Sequence, residues 1–265
     1  MPVGMDLEAQ KGTIMFVKTK GIVLRATDYQ DQDKILTVLT EDLGKITMKA
    51  RGVKSSRNTM KAACQLMAYS ELTLLEQQGR YVLTEASTKE LFMELQSDLE
   101  LMSLGSYFLQ VTETVAQEQD PAPELLSLLL NMLYALWTLK KPQLLVKTIF
   151  ELRLCCLAGF LPSLDGCGKC NQGEPEYFHI LNGELYCAHC ADLCNEGIRM
   201  PVSRGSLEAL RYICYADGKR LLSFKISDKA LEELCSISEA YLCSQLGQGF
   251  YTLDFYKTLL YGVKS

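Results

Sequence analysis

The sequence predicts an α+β protein: a small five-stranded β-barrel, then a mostly helical domain into which a four-cysteine ribbon is inserted. Three observations predict it. Apolar residues recur with period two from Phe16 to Ser87 and with a helical period from Thr88 onward. Two C-x-x-C pairs stand 16 residues apart, and an acidic chain concentrates its cations in one run. With 265 residues, 48% of them apolar, the chain is long enough for about two packed domains.

The strands come first. FVKTKGIVLRATDY, KILTVLT, KITMKARGV, MAYSELTLLEQQ and YVLTEAS alternate as half-buried strands do, with turns at DQD, EDLG and QGR and one long connection, KSSRNTMKAACQ. Five short antiparallel strands in about 70 residues suit a closed barrel, which removes exposed edges; OB and SH3-like barrels are the leading candidates. In the third strand Ile46, Met48 and Ala50 fall on one face and Lys45, Thr47, Lys49 and Arg51 on the other. One face is core and the other cationic.

The cationic face runs on into a loop expected to be flexible. Residues 45–61 hold Lys45, Lys49, Arg51, Lys54, Arg57 and Lys61 without an Asp or Glu, although the whole chain carries net charge −5. From Lys18 to Lys61 there are ten basic and five acidic residues, and from Ala62 to Asp165 six and thirteen. Such a run needs a partner of opposite sign, and its Ser, Thr and Asn neighbours are the groups that fix register on phosphates, so a nucleic acid is expected. The run contains no Phe, Tyr or Trp for stacking on bases. Backbone binding with weak sequence preference follows.

The helical segments are ELFMELQSDLELMSLGSYFLQVTETVAQEQ, PELLSLLLNMLYALWTLKK and PQLLVKTIFELRLCCLAGF, with Pro121, Pro123 and Pro142 at their starts. Arg153 shares a face with Ile149 and Cys156 and is expected to be a capped or salt-bridged structural residue. SLEALRYICYA, DKALEELCSISEAYLCSQL and FYTLDFYKTLLYG supply the last helices. The apolar run from Leu125 to Trp137 is too short for a membrane span and is expected to be a core helix. No secretory leader is evident, and the cytoplasm is the expected compartment.

Cys167 with Cys170 and Cys187 with Cys190 have the spacing of a tetrathiolate zinc site. Gly166 and Gly168 are expected to relieve the first turn, and Asn182-Gly183 to form the hairpin that returns the second pair beside the first. Four thiolates leave no open position on the ion, so one structural zinc is expected and no catalytic one, with a redox dithiol or simple core cysteines as the alternatives. His189 and Cys194 are minor alternative ligands. Cys155, Cys156, Cys235 and Cys243 read as inert core thiols.

The order of parts is similar to that of the RecO family of bacterial recombination mediators and DNA-repair proteins. KTKGIVLRATDYQDQDKILTVLT, GKITMKARGVKSSR and FELRLCCLAGFLPSLDGCGKC carry the resemblance, which covers most of the chain from Phe16 onward. It implies an N-terminal OB fold over 15–86 and a helical domain over 87–265 with the zinc ribbon at 165–200. It also implies a non-enzymatic protein that binds single- and double-stranded DNA, anneals complementary strands and associates with RecR. Proteins of that family help RecA displace the single-stranded DNA-binding protein (SSB), whose acidic C-terminal tail is a further expected partner. The implied DNA surface comprises Arg25, Lys34, Lys45, Lys49, Arg51, Lys54 and Arg57; cytoplasmic, nucleoid-associated placement follows. An RNA-binding OB protein is the alternative, since nothing in the barrel is dedicated to a 2′-hydroxyl. Residues 1–14 precede the usual family start at Met15 and are expected to be a disordered extension or a misassigned start.

Overall fold

The computed structural model describes residues 15–193 and 196–262. The expected extension at 1–14 and the alternative ligand Cys194 lie outside the described residues. The chain divides into two compact units. The first ends at Leu91 and takes back Gln117–Ala122, and the second comprises Phe92–Ala116 and resumes at Pro123.

In the first unit β1 (Met15–Tyr29), β2 (Asp33–Thr40), β3 (Gly44–Ala50), β4 (Tyr69–Gln77) and β5 (Arg80–Glu90) close into a barrel in the order β1-β2-β3-β5-β4. The closing contact pairs Met48 with Tyr81 and Ala50 with Leu83 in parallel; every other pair is antiparallel. The β3 alternation is as expected: Ile46, Met48 and Ala50 are buried with Leu36, Val38, Leu72 and Leu74, while Thr47 and Arg51 are exposed. β5 runs to Glu90, past the change of period expected at Thr88.

The long connection after β3 is not a loose loop. Val53, Ala63, Cys64, Met67 and Ala68 are buried, and Val53, Cys64 and Ala68 belong to the barrel core. A 3-10 turn spans Ala62–Cys64. The backbone is stitched to β1 by hydrogen bonds from Val23 N to Ala68 O and from Met67 N to Val23 O, both 3.1 Å. Apolar residues spaced among the cations therefore fix the segment across the barrel. The unit is completed by Gln117–Ala122: Gln119 N donates to Lys45 O (3.0 Å) and Lys45 N to Gln117 O (3.3 Å). Gly44, at φ 65°, has no room for a Cβ against the Asp120 backbone.

The second unit contains α1 (Met93–Ser97), α2 (Leu99–Val115), α3 (Pro123–Trp137), α4 (Gln143–Leu157), α6 (Arg204–Tyr215), α7 (Asp228–Leu246) and α8 (Tyr251–Tyr261), with α5 (Ala188–Asp192) in the ribbon. The first expected helix is two, because Asp98 takes extended dihedrals and its side chain accepts from Glu100 N and Leu101 N, capping α2. Ser203 and Ser227 cap α6 and α7 in the same way. The core is aromatic where α2 meets α4, with Phe108 and Phe150 stacked at 4.1 Å between centroids. No helix among the described residues is long and apolar enough to cross a membrane.

That core also holds charge. Lys147 and Glu151 lie one turn apart on α4, 2.8 Å from each other and both buried. Tyr107 Oη and Ser238 Oγ donate to the two Glu151 oxygens at 2.8 and 2.6 Å, and Glu239 joins Lys147 to Lys257. Three donors thereby satisfy the buried Glu151 carboxylate. Arg153 is structural, as expected: its Nη1 donates to the carbonyls of Ile213 (3.4 Å) and Cys214 (2.8 Å), closing the last turn of α6.

Candidate nucleic-acid interface and four-thiol centre

The barrel turns its cations outward at β3 and along the packed connection, but it does not leave them all free. Lys49 Nζ lies 2.9 Å from Asp33, Lys54 Nζ 3.0 Å from Asp28 and Lys45 Nζ 3.7 Å from Glu118. Part of the partner that the run demands is thus in the chain itself, 16 to 73 residues away along the sequence. Gly52 N donates to Asp33 at 2.9 Å, and that bond, followed by Lys49, holds the Asp33 carboxyl below its ordinary range. The hydrogen bond from Lys54 does the same for Asp28.

Arg57 and Lys61 are exposed and have no carboxylate partner among the described residues; Arg51 is exposed and forms no ion pair there, although it lies within electrostatic reach of Asp33. Of the other two implied contacts, Arg25 is exposed on β1 with Nη2 3.4 Å from Thr37 Oγ1. Lys34 is set apart: the register pairs it with buried Ala50, so it turns to the inward face at the barrel end, half-buried. An aromatic that the basic run itself lacks comes from β1, where half-exposed Tyr29 lies 4.9 Å below Lys49 Nζ. Its position outside the run, 20 residues before Lys49, is why reading the run alone misses it.

In the second unit the ribbon is a four-stranded sheet, β6 (Ser163–Cys167), β8 (Glu184–Tyr186), β7 (Tyr177–His179) and β9 (Arg199–Pro201) in that spatial order. It is fastened to the helices by Arg211, whose Nε and Nη2 both donate to Leu164 O (2.9 and 2.7 Å), and by Phe178 edge-on to Tyr241 at 5.2 Å. The hairpin falls at Asn182-Gly183, with Gly183 at φ 66°, though it spans four residues between His179 and Glu184 and not two.

The hairpin brings the four thiols together. The sulfurs of Cys167, Cys170, Cys187 and Cys190 all lie within 4.8 Å of one another, with Cys170 and Cys187 at 3.8 Å. A tetrahedron of thiolates about 2.3 Å from one ion has edges of about 3.8 Å, so the cluster fits a four-coordinate metal. Cys167, Cys187 and Cys190 are buried and Cys170 is exposed; His189 is exposed and outside the cluster. Burial works against ionisation of Cys167, yet backbone N–H groups of Cys187, Cys170 and Lys169 hold its thiol down to about 6. Burial and hydrogen bonds with the other three thiols push Cys190 up to about 12. Holding all four sulfurs as thiolates would need a cation at their centre.

The first turn is made differently from the sequence expectation. Asn171, at φ 57°, takes the left-handed position, while Gly166 and Gly168 have ordinary φ and meet Asn171 and Glu184 closely. The glycine the centre requires is Gly173: a Cβ there would lie 2.6 Å from Cys187 Sγ and closer still to its Cβ. Only the three-dimensional return of the hairpin sets Cys187 against it.

The chain joins a barrel with an outward cationic strand to a helical unit with a four-thiol cluster, and comparison with known proteins gives it a family. The description Recombination protein O N terminal matches residues 15–92, and Recombination protein O C terminal matches 96–254. The chain belongs to the RecO family. It is similar to the DNA repair protein RecO of Acetivibrio thermocellus, with 31% identity over 246 residues covering 92% of this chain and 97% of the relative. The DNA repair proteins RecO of Caldicellulosiruptor saccharolyticus (29%; 91% and 98% covered) and Bacillus pumilus (29%; 86% and 88%) are similar along most of their lengths.

Proposed function

We propose that this chain is a DNA repair and recombination mediator: it binds single- and double-stranded DNA through the barrel, anneals complementary strands, and with RecR helps load RecA onto DNA coated by SSB. The observation that carries the reading is the set of exposed cations Arg51, Arg57 and Lys61, none of them in an ion pair among the described residues, on a connection held in place by its own buried residues. Fixed cations at the surface bind a phosphate backbone without first losing conformational freedom. Lys45, Lys49 and Lys54 lie beside them, and a phosphate entering there exchanges with Glu118, Asp33 or Asp28. Arg25 and Tyr29 extend the surface along β1; Lys34 acts through the local field. The closure β1-β2-β3-β5-β4 supports reading the barrel as an OB fold.

The four cysteines hold one zinc ion in this reading, as a structural tie for a sheet whose strands are three to five residues long. A closed thiolate shell provides folding energy and no catalytic position. The mediator role requires no turnover, and the protein acts in the cytoplasm at the nucleoid, with RecR and the SSB tail as protein partners.

The test is equilibrium binding of the full chain to a labelled single strand across a salt series. Each phosphate contact contributes about 0.7 to the slope of log affinity against log salt. Changing Arg51, Arg57 and Lys61 together to Ala should flatten the slope by about 2 and slow strand annealing. Changing Lys45, Lys49 and Lys54 should flatten it less, since their carboxylates already stand in for counterions. A folded Arg51/Arg57/Lys61 variant with wild-type slope refutes the barrel as the binding surface. Wild-type protein that prefers an RNA of the same sequence and anneals no DNA points to the RNA-binding alternative.

A further inference from the structure

A second concentration of positive charge lies in the helical unit, outside the barrel and outside the metal centre. Arg199 to Lys229 contain seven Lys or Arg and three Asp or Glu, net +4, whereas Ala62 to Asp165 are net −7. Three of the seven are occupied structurally. Arg199 donates to Ala191 O, Arg211 holds Leu164 O, and Arg204 pairs with Glu208. The remaining four, Lys219, Arg220, Lys225 and Lys229, fall within the loop between α6 and α7 and the first turn of α7, all exposed. None of the four has a carboxylate partner among the described residues.

The loop is built and not merely charged. Leu221 is buried beneath it. Tyr212 Oη donates to Arg220 O at 2.8 Å and lies 3.0 Å from Ser223 Oγ, while Ser223 N donates to Arg220 O at 2.9 Å. The Asp217 carboxylate spends one oxygen on Lys219 N, 3.1 Å away, and so serves the backbone and not a cation. Half-buried Phe224 packs on the Tyr212 ring at 5.0 Å, and Tyr215 is 55% exposed at the end of α6. Four unpaired cations on a fixed turn, with exposed Tyr215 just before them and half-buried Phe224 among them, have the chemistry of a single-strand surface: cations for successive phosphates, rings for bases.

We propose that the α6–α7 loop is a second single-stranded nucleic-acid surface, with Lys219, Arg220, Lys225 and Lys229 on the phosphates and Tyr215 and Phe224 against bases. The proposal rests on the nucleic-acid reading given above. One such surface in each unit would let the chain hold two strands at once, which is what annealing requires.

The experiment uses the full chain and a single strand carrying 5-iodouracil, crosslinked by light and mapped by mass spectrometry, alongside a Lys219/Arg220/Lys225/Lys229→Ala variant. Crosslinks should appear at Tyr215 or Phe224 as well as in the barrel. The variant should lose about 2 to 3 from the salt slope, by about 0.7 per contact, and lose annealing disproportionately to binding of one strand. Crosslinks confined to the barrel, with an unchanged variant slope, overturn the proposal and leave the barrel reading standing. Crosslinks confined to the loop sustain the proposal and remove the barrel reading. A variant that keeps its DNA slope but no longer captures a poly-glutamate peptide assigns the loop to an acidic protein and overturns the proposal. The crosslinking arm uses the unaltered protein, so it decides the matter even where the variant misfolds.

Discussion

Gly173→Ala should cost the four-thiol centre its metal affinity although it removes no ligand. The added Cβ would stand 2.6 Å from Cys187 Sγ and closer to Cys187 Cβ. Ordinary non-bonded contact is about 3.5–4.0 Å, so one side must retreat by roughly 1 Å. Metal–sulfur distances tolerate only about 0.2 Å. Cys187 has little freedom to follow: it is buried, it follows directly on β8, and its carbonyl caps the start of α5 by accepting from Ala191 N at 2.9 Å. The turn from Asn171 to Gly173 must then move instead, and it carries the backbone N–H groups of Gln172 and Gly173 that hydrogen-bond Cys170. Either movement disturbs a pair of sulfurs now 3.8 Å apart. Loss of outer support of this kind lowers metal affinity about 10- to 100-fold. That is about 1.4–2.7 kcal/mol. Competition for zinc against a chromophoric chelator measures it directly, with Cys187→Ser as the reference for outright ligand loss. Hydrogen exchange on the same samples should show faster exchange over 163–201 and unchanged protection in the barrel strands, which have their own core. Wild-type zinc affinity in Gly173→Ala would refute the geometry, and absence of zinc from the purified, reduced, chelator-free protein would refute the site.

Two further outcomes concern the buried charges. Glu151→Ala leaves Lys147, Tyr107 Oη and Ser238 Oγ without their acceptor in the core, and breaking such a network costs about 3–5 kcal/mol. Urea unfolding of the helical unit measures it, and a loss below about 1 kcal/mol would mean the cluster is hydrated. Burial would raise the Glu239 carboxyl, but Lys147 and then Lys257 more than offset that, leaving it below its ordinary 4.5. A lowered carboxylate contributes stability that is full above the ordinary value and is lost as pH falls through the folded one, so Glu239→Gln should flatten the acid limb of stability against pH below about 4.5 and leave its slope near neutrality unchanged. An acid limb as steep as that of the wild type would show that Glu239 is not the linked group.

What the sequence made legible was what repeats at short range. The two-residue alternation of Lys45 to Arg51 sets core and solvent faces whatever the barrel's closure, and the C-x-x-C pairs announce a shared ion because each pair is already a local turn. What it hid depends on segments distant in the chain. The basic run looks unbalanced because Asp28, Asp33 and Glu118 reach it only once β1 and β2 pair and Gln117–Ala122 returns to β3. Gly173 looks like any loop glycine until Cys187 arrives beside it. Nothing in the spacing of Lys147 and Glu151, one helical turn apart, marks them as core residues; they are so because Tyr107, Ser238 and Glu239 converge on them from α2 and α7. The same reasoning separates the two cationic surfaces. Charge along a sequence counts residues, whereas a phosphate meets most readily the cations that folding leaves without an ion pair. By that measure Arg51, Arg57 and Lys61 on the barrel have their counterpart in Lys219, Arg220, Lys225 and Lys229, and the acidic total of the chain describes neither surface.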